Sequence, residues 1–153
     1  MRQLYVQGVA GATRPDGTFS IFHDFSGWFA GTDIVAGTGV DETLWFNGGT
    51  RIGRATTDGE VTTHTNPAFA SPSGLTDLTP GPDGAIWFTT LNDLVGRIST
   101  GGAVTTYPDS TISQPTSIVA GSDGALWFTN TGNNSIGRVT PASQGASQVI
   151  DAR

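Results

Sequence analysis

The chain contains no cysteine and no lysine. The first absence excludes disulfide staples and thiolate chemistry, and it leaves the compartment open. All seven basic residues are arginines, widely scattered among 13 acidic residues, for a net charge of −6. No basic patch exists to neutralise phosphates, which argues against a nucleic-acid partner. No apolar run approaches the roughly 20 residues of a membrane-spanning helix. Met1-Arg2-Gln3 leads directly into Leu4-Tyr5-Val6 without the apolar stretch of a signal peptide. The expectation is a cytoplasmic protein if the chain is whole and a secreted parent if it is a fragment.

What the chain has in quantity is glycine, 22 residues, with 8 prolines and only 13% charged residues in a total of 153. Regularly spaced apolar triplets within that background argue for many short strands and tight turns rather than disorder. Leu44-Trp45-Phe46, Ile86-Trp87-Phe88 and Leu126-Trp127-Phe128 recur at steps of 42 and 40 residues. Leu4-Tyr5-Val6 reads as a worn fourth copy. A second phrase follows each: Ile52-Gly53-Arg54, Val95-Gly96-Arg97, Ile136-Gly137-Arg138 and, faintly, Ala10-Gly11-Ala12. A strand-rich repeat of about 40 residues is the mark of a β-propeller blade.

The fold class expected is therefore all-β, a β-propeller of four-stranded antiparallel blades. About four blades are present, at approximately 1–25, 30–65, 72–108 and 114–151. This would be half of a seven-bladed type of ring, or a half-ring that pairs with itself. In the third unit Leu75 to Thr79 reads as strand A, Gly81-Pro82-Asp83-Gly84 as a turn, and Ala85 to Thr89 as strand B. Leu94 to Ser99 is strand C and Val104 to Tyr107 strand D. The fourth unit repeats this, with D at Gln148 to Ile150, and so does the second, with A from Thr32 to Ala36. The first unit offers B, C and D (Phe19 to Phe22) but no A. The chain thus starts inside a blade, so earlier sequence is missing or another segment supplies that strand.

Single blades cannot bury both faces, so each must stack on its neighbours. Alternation sends Trp87 toward one neighbour and Ile86 and Phe88 toward the other. The triplets then read as core rather than as a tryptophan cage for a ligand. Gly53, Gly96 and Gly137 admit close approach of an aromatic ring. Arg54, Arg97 and Arg138 resemble an anion-binding ring, but acidic turns such as Asp83 and Asp123 lie nearby and favour structural pairing. Asp16, Asp58, Asp83 and Asp123 precede turn glycines and suit Asx-type bonding.

Antiparallel order puts the A–B and C–D turns on one face and the B–C loops with the D-to-A crossovers on the other. Around the central channel this second face gathers Thr32, Asp33 and Asn47, then Thr76, Asp77 and Thr90, then Thr116, Ser117 and Asn130. Loops of one face on a rigid scaffold are the usual place for function. Asp33 and Asp77, equivalent in the repeat, are the metal candidates, because converging carboxylates suit a hard cation such as Mg²⁺ or Ca²⁺. The plainer reading has them bond backbone amides. His64 and His23 fall on or beside outermost strands, where a surface position is expected, so neither is placed as a general base. No Ser-His-Asp arrangement is apparent.

Gly81-Pro82-Asp83-Gly84-Ala85-Ile86-Trp87-Phe88-Thr89 with Val95-Gly96-Arg97-Ile98 resembles the blade of the virginiamycin B lyase (streptogramin lyase) family. So does Gly121-Ser122-Asp123-Gly124-Ala125-Leu126-Trp127-Phe128-Thr129 with Ile136-Gly137-Arg138-Val139. The resemblance implies a seven-bladed ring, Mg²⁺, a histidine base beside glutamates, and eliminative opening of type B streptogramin antibiotics at their lactone ester. In the family a glutamate commonly follows Trp-Phe-Thr; here Asn47, Thr90 and Asn130 stand there, and Glu42 and Glu60 lie in turns of the opposite face. No catalytic residue can be carried over. Three readings follow: a lyase-like segment without activity of its own, a non-catalytic module for small-molecule, carbohydrate, peptide or protein ligands, or a half-ring that forms a homodimer.

Overall fold

A computed structural model describes residues 33–38, 43–69 and 74–141 fully, and the backbone of strands at 2–6, 9–13, 19–22 and 149–152. Of the residues singled out above, Thr32, Asp16, His23 and Glu42 lie outside the described residues. Four antiparallel sheets follow one another along the chain. The first has β1 (Arg2–Val6), β2 (Val9–Thr13) and β3 (Phe19–Phe22). The second has β4 (Ile34–Ala36), β5 (Leu44–Gly48), β6 (Arg51–Ala55) and β7 (Val61–His64). The third has β8 (Leu75–Pro80), β9 (Ile86–Thr90), β10 (Leu94–Ile98) and β11 (Val104–Tyr107). The fourth has β12 (Pro115–Ala120), β13 (Leu126–Asn130), β14 (Ser135–Val139) and β15 (Val149–Ala152). In every sheet consecutive strands pair, giving the meander of a propeller blade.

Local chemistry sets these boundaries. The Gly81 amide donates to the Ala85 carbonyl (2.8 Å), and Gly84 sits at φ 79°, a conformation that glycine adopts without strain. The fourth sheet repeats both features with Gly121, Ala125 and Gly124 at φ 75°. The middle strands run one residue further than the alternation indicates, since Thr90 and Asn130 pair with Leu94 and Ser135. The last strand ends at Ala152 rather than Ile150.

Packing between sheets follows the alternation. Trp45 and Ile52 of the second sheet are buried against Leu75, Leu78, Ile86, Phe88 and Ile98 of the third. Trp87 and Val95 of the third are buried against Ile118, Leu126, Phe128 and Val139 of the fourth. The D-to-A crossovers add one apolar plug to each interface, Phe69 and Ile112. Phe69 meets Phe88 edge-on, with centroids 5.5 Å apart. Within each sheet the glycine of the second phrase lies opposite the triplet phenylalanine: Gly53 with Phe46, Gly96 with Phe88, Gly137 with Phe128. The ring lies flat over that glycine, in the space a Cβ would need.

Two expectations are corrected. Tyr5 does not hold the tryptophan position, because Leu4 is the residue opposite Gly11. The β1–β2 register therefore puts Leu4 in the place of Phe46, two positions from the sequence alignment. His64 is half-buried, not a surface residue: its ring stacks on Trp45 at 5.6 Å and 16°, as Tyr107 stacks on Trp87 at 5.0 Å and 12°. Gly102 of the next sheet closes over the imidazole, where a Cβ would come within 2.7 Å. Burial first, then the charge of Arg54, holds the His64 pKa below its ordinary value.

Gly96→Ala should cost about 1–3 kcal/mol, because the added methyl overpacks the Phe88 ring. Gly101→Ala, whose nearest neighbour is a serine hydroxyl at 3.8 Å, should stay within about 0.5 kcal/mol. Urea midpoints measured at unchanged m-value check both.

Candidate functional site

The site candidates collect where each innermost strand begins and the next strand ends. Asp33 precedes β4 and Asp77 lies near the start of β8, and each carboxylate reaches across to the following sheet. The Leu78 amide donates to Asp33 Oδ2 at 2.8 Å and the Ile34 amide to Asp33 Oδ1 at 2.8 Å. The Ile118 amide donates to Asp77 Oδ2 at 2.7 Å, and the Ser117 hydroxyl to the same oxygen at 2.8 Å. Asp77 Oδ1 accepts from the Leu78 amide at 2.9 Å, so one N–H is shared by both carboxylates. The pair therefore stitches second sheet to third and third to fourth. Burial first, then its hydrogen bond with Asp77, raises the pKa of Asp33. Among the described residues no three acidic or histidine side chains are grouped to hold a metal ion.

The strand-end residues sit deeper than a ligand could reach. Asn47, Thr90 and Asn130 are all buried. Asn47 Oδ1 accepts from the Asp33 amide at 2.9 Å. Asn130 Oδ1 accepts from the Ser113 amide at 3.1 Å, while its Nδ2 donates to the Thr111 carbonyl and to Ser135 Oγ. Thr90 Oγ1 accepts from the Asn92 amide at 3.3 Å. These residues hold the crossover and B–C loops in place. For Thr90 and Asn130 the one-residue extension of the middle strands accounts for it, since that pairing carries them into the sheet. Thr76 is half-buried; its hydroxyl donates to the Pro115 carbonyl of the next sheet at 3.0 Å and lies 2.8 Å from the Thr89 hydroxyl, with which it shares a second hydrogen bond. Among the described candidates only Thr116 and Ser117 are exposed, with Thr116 and Thr129 sharing a 3.0 Å hydrogen bond.

The turn face carries a second recurring unit. In the third sheet Asp83 accepts from Trp87 Nε1 (2.9 Å), from the Ala85 amide and from Arg97, with which it forms an ion pair. In the fourth, Asp123 accepts from Trp127 Nε1 (3.2 Å) and the Ala125 amide and pairs with Arg138 at 3.0 Å. The Trp127 indole hydrogen bond is the main reason the Asp123 pKa is lowered, with Arg138 contributing less. Arg97 and Arg138 are thus structural partners of the acidic turns rather than an anion-binding ring. Sequence reasoning missed Phe69 and Ile112, whose signal was a lone apolar residue in each crossover, and the exposed apolar residues Val119 and Ile136 on the fourth sheet.

A family model described as the virginiamycin B lyase family matches residues 7–151. Virginiamycin B lyase from Staphylococcus aureus superposes with a TM-score of 0.80 at 32% identity, covering 94% of this chain and 48% of that one. A catalytically inactive histidine-to-alanine variant of the Staphylococcus aureus enzyme, solved with quinupristin, gives 0.80 at 31% identity over 95% of this chain and 49% of the other. A putative gluconolactonase gives 0.69 at 17% identity, covering 94% of this chain and 56% of that one, which is a likeness of fold alone. A search of curated proteins found no match. The chain spans about half the length of the lyase structures it matches.

The raised Asp33 pKa means the folded state binds that proton more tightly than the unfolded chain does. Its contribution is fully present below the ordinary value of 3.8 and is lost as pH rises through the folded pKa. The stability of Asp33→Asn relative to the wild type should therefore improve between about pH 4 and pH 7, as urea unfolding at the two pH values would show. Asp77→Ala removes the acceptor of the Ile118 amide and should cost about 1–3 kcal/mol at neutral pH.

Proposed function

The chain belongs to the virginiamycin B lyase family, and from that premise we propose that it is a lyase-like propeller segment without lyase activity of its own. The observation behind this reading is the engagement of Asp33 and Asp77: all four of their carboxylate oxygens accept hydrogen bonds from backbone amides. Eliminative opening of a lactone needs a general base poised over the substrate and a group to receive the developing charge. A carboxylate already aligned on strand amides serves neither purpose without breaking the sheet-to-sheet contact.

The Mg²⁺ that the family implies fits this carboxylate pair poorly. A hard cation needs several free oxygen ligands. Here converging N–H dipoles occupy the carboxylates, and no third acidic or histidine side chain stands beside them among the described residues. The described channel-face candidates are otherwise hydroxyls and amides, half of them buried. His64, the one described histidine, stacks in a sheet interface with its basicity lowered.

The second reading is a non-catalytic binding module, favoured by the exposure of Thr116 and Ser117 beside Asp77. Neutral hydroxyls around a carboxylate suit the hydroxyls of a carbohydrate or the backbone amides of a peptide. Such a ligand would meet this face through hydrogen bonds rather than charge.

Incubation with quinupristin and Mg²⁺ should leave the lactone ester closed by mass spectrometry. Ring opening above the rate without protein would sink the proposal. Chemical shifts of Thr116 and Ser117 that respond to quinupristin in the absence of turnover would support the binding module.

A further inference from the structure

His64 and Tyr107 hold the same place in successive sheets, His64 opposite Ile52 and Tyr107 opposite Val95. Each ring stacks on the triplet tryptophan of its own sheet, His64 on Trp45 and Tyr107 on Trp87. The places match but the chemistry differs. A tyrosine stays neutral at every acid pH, whereas an imidazole takes up a proton near neutrality. His64 therefore puts a titrating group where its counterpart has none, and it does so inside an interface rather than on the surface.

The slot that holds the ring is closed on two sides. Trp45, fully buried, forms one wall. The other is Gly102 of the third sheet, placed so that a Cβ there would come within 2.7 Å of His64 Cε1 and Nδ1. That turn is pinned: the Gly102 amide donates to the Ser99 carbonyl and the Ser99 amide to the Ala103 carbonyl, both at 2.9 Å. His64 Nε2 is sealed from solvent and has no hydrogen-bond partner among the described residues. A neutral imidazole tolerates this, because it carries no charge to solvate. An imidazolium has two N–H donors in its ring plane and needs acceptors at its edge. Residues 99–103 of the facing turn carry no carboxylate to supply one. On its own sheet the charge acting on it is Arg54, of the same sign. Asp58 and Glu60 stand exposed before the opposite end of β7, and Asp83 of the third sheet is already paired with Arg97. The Trp45 face attracts a cation but accepts nothing from N–H groups that lie parallel to it.

We propose that His64 is a proton-operated latch on the interface between the second and third sheets, shut while the imidazole is neutral and released by a proton at mildly acid pH. Protonation drives the ring out of its slot toward water, and the Gly102 turn loses the surface it closes on. The release is local. Thr38 Oγ1 still donates to the Gly84 carbonyl at 2.5 Å and the Leu78 amide to Asp33, so two hydrogen bonds keep the same sheets joined. The interface of the third and fourth sheets does not respond, because Tyr107 has no proton to gain. The folded-state pKa of His64 lies below its ordinary 6.5, so the contribution of this contact is complete above pH 6.5 and is lost as pH falls through the folded value. Asp33 bridges the same two sheets and acts in the opposite sense, so the latch shows at the His64 slot rather than in total stability.

Two-dimensional NMR of the 153-residue chain, titrated from about pH 8 to about pH 5, tests this. The His64 imidazole should titrate with a midpoint below 6.5, and the Gly102 amide should shift with the same midpoint. Below that midpoint the protection of the Trp45 indole N–H against hydrogen exchange, corrected for intrinsic rate, should have fallen about tenfold for each unit separating the midpoint from 6.5. The Trp87 indole should keep its protection throughout. His64→Gln, polar and planar but unable to titrate, should remove the response of Gly102 and Trp45. His64→Tyr, which copies the third sheet, should do the same, and either variant serves if the other does not fold. His23→Gln should leave the response in place. An imidazole midpoint at or above 6.5, equal loss of protection at Trp45 and Trp87, a response that persists without His64, or one abolished by His23→Gln would overturn the proposal.

Discussion

A four-stranded sheet a few residues deep cannot bury either of its faces by itself, and every other feature of this protein follows from that. Each sheet borrows its core from the next. Trp45 and Trp87 are fully buried only because the Leu78 and Ile118 strands of their followers lie against them. The glycines opposite the phenylalanines serve the same end: with no Cβ at Gly96, the Phe88 ring lies flat and the sheet stays thin enough to stack. Apolar stacking supplies attraction but little register, since burial is non-directional.

Direction comes from the carboxylates. On the channel side Asp33 and Asp77 bind backbone amides of the following sheet, which fixes where its innermost strand starts. On the turn side Asp83 and Asp123 hold the indole N–H of their own triplet tryptophan, so the ring that must slide under the neighbour is already oriented. One acidic residue type thus performs two jobs at opposite ends of the same blade. Their electrostatics diverge accordingly. Asp33 sits half-buried beside another carboxylate and is pushed toward the neutral form, whereas the exposed Asp123 accepts hydrogen bonds and is held ionised. The functional reading rests on this division, because aspartates engaged in assembly are not free for chemistry.

Much of this was legible in the sequence. The repeat of Leu-Trp-Phe and Ile-Gly-Arg located every four-stranded sheet, and the Pro-Asp-Gly and Ser-Asp-Gly turns placed the hairpins. The pairing of Arg97 with Asp83 and of Arg138 with Asp123 followed from their recurrence. The first sheet was harder. The β1–β2 register repeats that of β5–β6, with Leu4 opposite Gly11 as Phe46 is opposite Gly53, so likeness of Leu4-Tyr5-Val6 to the triplet pointed to the wrong register by two residues. His64 also misled, because an outer-strand position says nothing about the neighbouring Gly102 that closes over its ring. Thr90 and Asn130 stand one place past the middle strand that alternation indicates, and one further ladder pair each brings them into the sheet.

By itself the sequence determined the repeat, the strand order and which alternate residues are apolar, because these are properties of local spacing. It also settled the kinship, since the turn and triplet phrases are contiguous. Only the tertiary structure decided which candidates are free. Whether a carboxylate meets an amide 45 residues away, as Asp33 meets Leu78, depends on how sheets stack and not on the spacing within any one of them. The same holds for Ile136: its sequence context matches that of Ile52 and Val95, and its exposure comes from having no sheet of the described chain against it.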